Sequence, residues 1–69
     1  MLFIFTQNNQ KVCEGVLNQH AYKISKTIND NPNDSYSLKI VKPLKTKVKV
    51  LKEMTNACDI TEYCLYSLL

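Results

Sequence analysis

Along most of this chain apolar residues recur at every second position, and the expected elements follow from that period. The chain opens on an unbroken apolar run, Leu2-Phe3-Ile4-Phe5, and the polar cluster Gln7-Asn8-Asn9-Gln10 beyond Thr6 suits a hairpin turn. This predicts a first strand over about 1–6 and a second over about 11–14, with Gly15, the only glycine, able to take positive φ where the chain bends. Tyr22, Ile24 and Ile28 then alternate with Lys23, Ser25 and Thr27, which predicts a half-buried third strand over about 20–28. Asn29-Asp30-Asn31-Pro32-Asn33-Asp34 is dense in turn formers and reads as a loop. Tyr36, Leu38 and Ile40 alternate with Ser37, Lys39 and Val41 in a fourth strand over about 35–42, and Val48 and Val50 alternate with Lys47 and Lys49 in a fifth over about 47–54. With Ile40 opposite Val48 and Leu38 opposite Val50, the loop is Pro43-Leu44-Lys45 and Lys39 lies across from Lys49.

After Met54 the period changes. Ala57, Ile60, Cys64 and Leu68 fall on one stripe of a helical wheel, with Leu65 beside it and Asp59, Glu62 and Tyr66 opposite, so an amphipathic helix is expected over about 56–68. Its start falls either at Thr55 or Asn56 as N-cap or at a capping box Asp59-Ile60-Thr61-Glu62, and the earlier start is favoured because Ala57 already belongs to the stripe. The pattern implies an α+β fold in one domain over 1–69: a small antiparallel meander of four or five strands with one C-terminal helix packed on one face. The first strand departs from a one-sided sheet, since Leu2, Phe3, Ile4 and Phe5 are apolar toward both faces. One pair must face away from the helix, covered by a loop around Val16-Leu17 or by another chain.

Four segments, FIFTQNNQKV, AYKI, YSLKIV and VKVLKEMTNACDITEYCLYSLL, carry a resemblance. In this order the chain resembles small, strand-rich proteins with one C-terminal helix that phages and mobile elements of low-GC Gram-positive bacteria encode. The likeness implies an accessory protein in the host cytoplasm that binds and modulates a host or anti-phage defence protein. Cys58, Tyr63 and Cys64 stand where the helix of such proteins usually carries charged and aliphatic residues.

Composition supports that setting and weakens one argument. Residues with AT-rich codons (Phe, Tyr, Met, Ile, Asn, Lys) number 29 of 69, so nine Lys with no Arg reflect codon bias as well as any anionic partner. At 45% hydrophobic the chain has material for one core, although domains below about 70–80 residues often lean on a metal, disulfides or a partner. Three Cys with no CxxC spacing, no leader-like segment and no membrane-length apolar run point to a reduced, cytoplasmic protein that does not enter a membrane.

Charge is unevenly placed. Residues 1–38 are balanced, residues 39–52 carry six Lys and no acid, and residues 53–69 carry three acids. Lys39, Lys42, Lys45, Lys47 and Lys49 are the candidate partner-binding residues, joined by Phe3 and Phe5 if that pair faces outward. A Lys-rich edge hairpin is also a common guard against edge pairing. Without Arg, bidentate guanine reading is disfavoured, so the nucleic-acid alternative is a non-sequence-specific module using the 39–52 hairpin. Catalytic signatures are missing: the sole His20 has no partner at ligand or triad spacing, and the six acids are scattered. Zinc held by His20 and the three Cys, and a reactive Cys58 in the first helical turn, are the two minor candidate chemistries. The expectation is a non-enzyme without cofactor that binds a host or defence protein, with a homodimer through the first strand as a further possibility.

Overall fold

The computed structural model describes residues 1–68. Its elements are β1 (Leu2–Gln7), β2 (Gln10–Val16), α1 (Leu17–Asp30), β3 (Tyr36–Pro43), β4 (Val48–Met54) and α2 (Ala57–Ser67). The fold is α+β with a four-stranded antiparallel sheet in the order β2-β1-β3-β4 and a C-terminal helix.

The first hairpin forms as its residues suggest. Asn8 and Asn9 take φ of 52° and 67°, and Gln7 pairs with Gln10, the geometry of a two-residue turn whose positive φ values Asn tolerates. Gly15 has φ of +132°, a region closed to residues with a Cβ, and it lies opposite Phe3. His20 packs over this corner: its ring centroid is 5.3 Å from that of Phe3, and its Nδ1 is 3.1 Å from the Val16 carbonyl.

The expected third strand over 20–28 is instead α1. Leu17, Ala21, Ile24 and Ile28 are buried, and on a helical wheel they fall within about 60° of one another. The strand reading needed an apolar residue at position 26, where Lys26 stands, and a buried Tyr22, which is 78% exposed. Of the two alternatives for covering the sheet, the loop around Val16-Leu17 is instead the junction of β2 and this helix, and Leu17 is a core residue.

That helix also changes the topology from a meander. β2 and β3 each pair antiparallel with β1, so they run parallel to one another on either side of it, and α1 carries the chain across. β1 becomes the second strand of the sheet, bonded on both edges.

Position in the sheet decides what each face buries. By alternation and register, Phe3 and Phe5 of β1 share one face with Ile40 and Leu38 of β3. These residues form one buried cluster with Tyr36, with Leu17, Ala21, Ile24 and Ile28 of α1, and with Ile60 and Cys64 of α2. Phe5 stacks on Tyr36 at 5.7 Å with the planes 8° apart, and the Tyr36 hydroxyl donates to the carbonyls of Asn31 and Thr27 at the end of α1. In α2 the Asn56 side chain accepts from the backbone N–H of Cys58 and Asp59, so Asn56 is the N-cap. The helical stripe holds for Ile60 and Cys64, while Leu68 at its end is more than half exposed.

The second hairpin is set three residues away from the expected register at Val48 and Val50, and four beyond the bulge. Pro43 pairs with Val48, Val41 with Val50, Ile40 with Lys52 and Leu38 with Met54, with a bulge between Ile40 and Val41. The loop is Leu44 to Lys47, closed by a bond from the Leu44 N–H to the Lys47 carbonyl. Met54 thereby packs against the core, and Val48 and Val50, expected opposite Leu38 and Ile40, are about half exposed. Lys39 faces Glu53, not Lys49, and Lys49 faces Lys42.

The two readings of residues 17–30 separate cleanly by substitution. Ile24→Asp should abolish cooperative unfolding, since an unpaired buried carboxylate costs several kcal/mol, comparable to the stability of so small a domain. Tyr22→Glu should keep the melting temperature within a few degrees. A strand would put both side chains on one face, and both variants would then unfold.

Candidate functional site

The face of the sheet opposite the buried cluster is built by the other set of alternating residues. Leu2 pairs with Val16 and with Val41, and Val41 pairs with Val50, so one aliphatic row, Val16-Leu2-Val41-Val50, crosses all four strands. One step toward the second hairpin lie Pro43 and Val48, and with Leu2, Ile4 and Val41 they line a shallow concavity of about 210 Å³. The next row in the other direction is mixed, Glu14-Ile4-Lys39-Glu53, and beyond it stand Thr6 and Ser37. This face thus grades from aliphatic at the β3–β4 loop to polar at the β1–β2 turn.

Exposure is concentrated at the aliphatic end. Val48, Val50 and Leu51 are each about half exposed, and Leu44 at the loop and Val16 at the far edge somewhat less. Interleaved with them are exposed Lys42, Lys45, Lys47 and Lys49. Among the described residues the only ion pairs are Lys11–Glu14 and Lys26–Asp30, so none of these four lysines has a carboxylate within bonding distance. Lys42 and Lys49 oppose each other across the ladder, on the side of the sheet away from Val41 and Val50. Lys52 is engaged differently, its Nζ 5.2 Å from the ring centroid of Tyr63.

The expected site residues are therefore divided. Lys42, Lys45, Lys47 and Lys49 gather at one end of the sheet, whereas Lys39 stands apart, half-buried in the mixed row. Phe3 and Phe5 do not belong to any exposed surface, because they are the pair that faces the helices, 1% and 0% exposed. The outward pair is Leu2 and Ile4. Their row is hidden in the sequence because Val48 and Val50 match the core residues Ile40 and Leu38 as readily as they match an outer row; the alternation of Val48 and Val50 with Lys47 and Lys49 is the signal that points to it.

The remaining chemistry is structural. Among the described residues no three His, Cys, Asp or Glu side chains are placed to hold one metal ion. Cys58 is exposed, Cys13 half-buried and Cys64 buried. Burial pushes the Cys64 thiol up to about 11, with the nearby Cys13 adding to the effect, and burial raises Cys13 while Lys23 opposes it. Burial also raises the Tyr36 hydroxyl, with Asp34 contributing. Among the described residues no helix is long and apolar enough to cross a membrane.

Comparison with known proteins gives no match to a family model, to a curated sequence or to a solved structure.

Two measurements follow from these placements. The raised Cys64, Cys13 and Tyr36 groups favour the folded state while they are protonated, so their contribution is complete below the unfolded thiol value near 9. The Cys64 part should be lost as pH rises through about 11, the Cys13 and Tyr36 parts as pH rises through their own raised values, and urea midpoints should fall as these groups ionise. A constant midpoint between pH 8 and 11 would contradict the burial of these groups. The second concerns the Lys42–Lys49 pair: Lys49→Glu replaces a like-charge cross-strand pair by an opposite one and should raise stability by about 0.5 kcal/mol. For a domain of this size that is a melting increase of roughly 2–4 °C at low salt, vanishing near 1 M salt.

Proposed function

We propose that this protein is a small protein-binding module. In the setting its sequence resembles, it would be a phage or mobile-element accessory protein that binds and modulates a host or defence protein. The reading takes the sheet face opposite the helices as the uncovered one, and the observation that carries it is the composition of that face. A row of aliphatic side chains spans the four strands, four unpaired lysines gather at the same end of the sheet with Lys42 and Lys49 on its opposite side, and both phenylalanines lie in the core. An apolar centre with polar residues at its margin is the general anatomy of a protein–protein interface.

Single-stranded nucleic acid is normally bound by aromatic side chains that stack on the bases, and this face offers none. Val48 and Val50 are each about half exposed at this end and Leu44 somewhat less, and covering apolar surface there by a partner would be favourable at about 25 cal/mol per Å² before the association cost is subtracted. The lysines would act mainly on the rate and orientation of encounter with an acidic partner.

The four unpaired lysines also support a second reading, phosphate contact by the hairpin without sequence preference. Affinity capture from a bacterial host lysate separates the two. Tagged protein should retain a defined protein after nuclease treatment and through a wash in 0.5 M salt, and Val50→Asp should release it. Loss of all captured material with nuclease, together with salt-sensitive binding of duplex or single-stranded DNA, would replace the protein-binding reading by the nucleic-acid one.

A further inference from the structure

We infer that the free edge of β4 is the docking site, and that it takes an extended segment of a partner protein in which aliphatic and acidic residues alternate. The inference rests on the protein-binding reading above and specifies its partner.

β4 is an edge strand, bonded to β3 on one side only. Apart from the bond that closes the Leu44–Lys47 loop, no backbone bond outside the sheet comes near it among the described residues. Its first residues alternate in kind as well as in direction. Val48 and Val50 point to the aliphatic row, and Lys49 points to the other side of the sheet, beside Lys42. The row that begins at Val16 therefore stops at Val50 with nothing beyond it, and half of Val50 is still in water.

A fifth strand laid along this edge would extend both faces at once. Its aliphatic residues would continue the row beside Val48 and Val50. Its acidic residues would stand beside Lys49 and the lysines at the loop. Strand addition of this type draws affinity from main-chain bonds and specificity from alternate side chains.

The Lys42–Lys49 juxtaposition is an independent observation pointing the same way. Like charges directly opposite one another weaken a ladder, and no carboxylate of the described chain offsets this pair. A carboxylate on an added strand would relieve it. The same lysines, with the bulge between Ile40 and Val41, make the edge unfavourable to a second copy of the chain. Antiparallel pairing of β4 with its own copy, faces matched, sets Lys against Lys. The edge thus refuses itself and admits an acidic strand.

The test uses the whole protein, isotope-labelled, and two eight-residue probe peptides, one alternating Val and Glu and one alternating Val and Lys. The Val–Glu peptide should shift the amide resonances of Val48 to Val50 and of Val41 and slow hydrogen exchange in β4. Its half-saturation concentration should be at least tenfold lower than that of the Val–Lys peptide. The double variant K47E/K49E, shown to be folded by its melting curve, should lose at least tenfold in affinity for Val–Glu, whereas Lys23→Glu on α1 should not. An equal response to both peptides would overturn the inference. So would shifts on Leu2 and Ile4 without slower exchange in β4, or wild-type dimers at high micromolar concentration whose formation slows exchange in β4. Capture of a nuclease-resistant host protein that K47E/K49E still retains would overturn edge docking alone and leave the protein-binding reading standing.

Discussion

The structure depends on one strand being bonded along both of its edges. β1 pairs with β2 and with β3, and its Phe3 and Phe5 are the largest side chains wholly inside the core. A strand in that position has to be apolar toward the helices, and it tolerates apolar residues on its other face because neighbouring strands shelter them. That is why Leu2-Phe3-Ile4-Phe5 needs no second sheet to justify it. Leu2 and Ile4, flanked by cross-strand partners on both sides, are half-buried, and Val41 beside Leu2 is 9% exposed.

Bonding both edges of β1 has a further consequence for the chain path. After the first hairpin occupies one edge, the chain must cross the sheet to reach the other, and α1 makes that crossing. Its beginning and end are fixed to the sheet by separate contacts. The Leu17 N–H donates to the carbonyl of Met1, and the Tyr36 hydroxyl bonds carbonyls at the C-terminal end while its ring stacks on Phe5. A helix with no side-chain N-cap and with low-propensity Asn, Ser and Thr residues draws its stability from such tertiary contacts more than from its own sequence.

This dependence on partners explains which parts of the fold were legible in the sequence. The first hairpin, the fourth and fifth expected strands and the C-terminal helix follow from local patterns that tertiary contacts did not override: an Asn-Asn turn, clear alternation, and an Asn cap before a stripe. Residues 17–30 contain both periods, Tyr22-Ile24-Ile28 for a strand and Leu17-Ala21-Ile24-Ile28 for a helix. Lys26 favours the second, but β-branched residues and the absence of caps favour the first. What settles it is the empty edge of β1, which no local pattern displays. The register of the second hairpin was illegible for a related reason. Val48 and Val50 match Ile40 and Leu38 as core partners in a pairwise comparison, yet Met54 and Lys52 reach the helices, Met54 against the core and Lys52 over Tyr63.

The correction to that register bears directly on the candidate site. Had Val48 and Val50 lain in the core, Lys39 and Lys49 would have shared an exposed face, and the last hairpin would have been a purely basic surface, suited to phosphate. With the observed pairing, lysines and valines of β4 part to opposite sides of the sheet, and Lys39 has Glu53 as its neighbour. Four lysines of β3, the loop and β4 and a set of half-exposed aliphatic side chains then occupy the same end of the domain, with Lys49 and the valines on different faces of one edge strand. A phosphate backbone can use only the first of these, whereas a polypeptide strand, whose own side chains alternate between faces, can use both. The symmetry of the β-strand, period two in the protein and period two in whatever pairs with it, is the reason a surface that looks merely basic in sequence becomes selective in three dimensions.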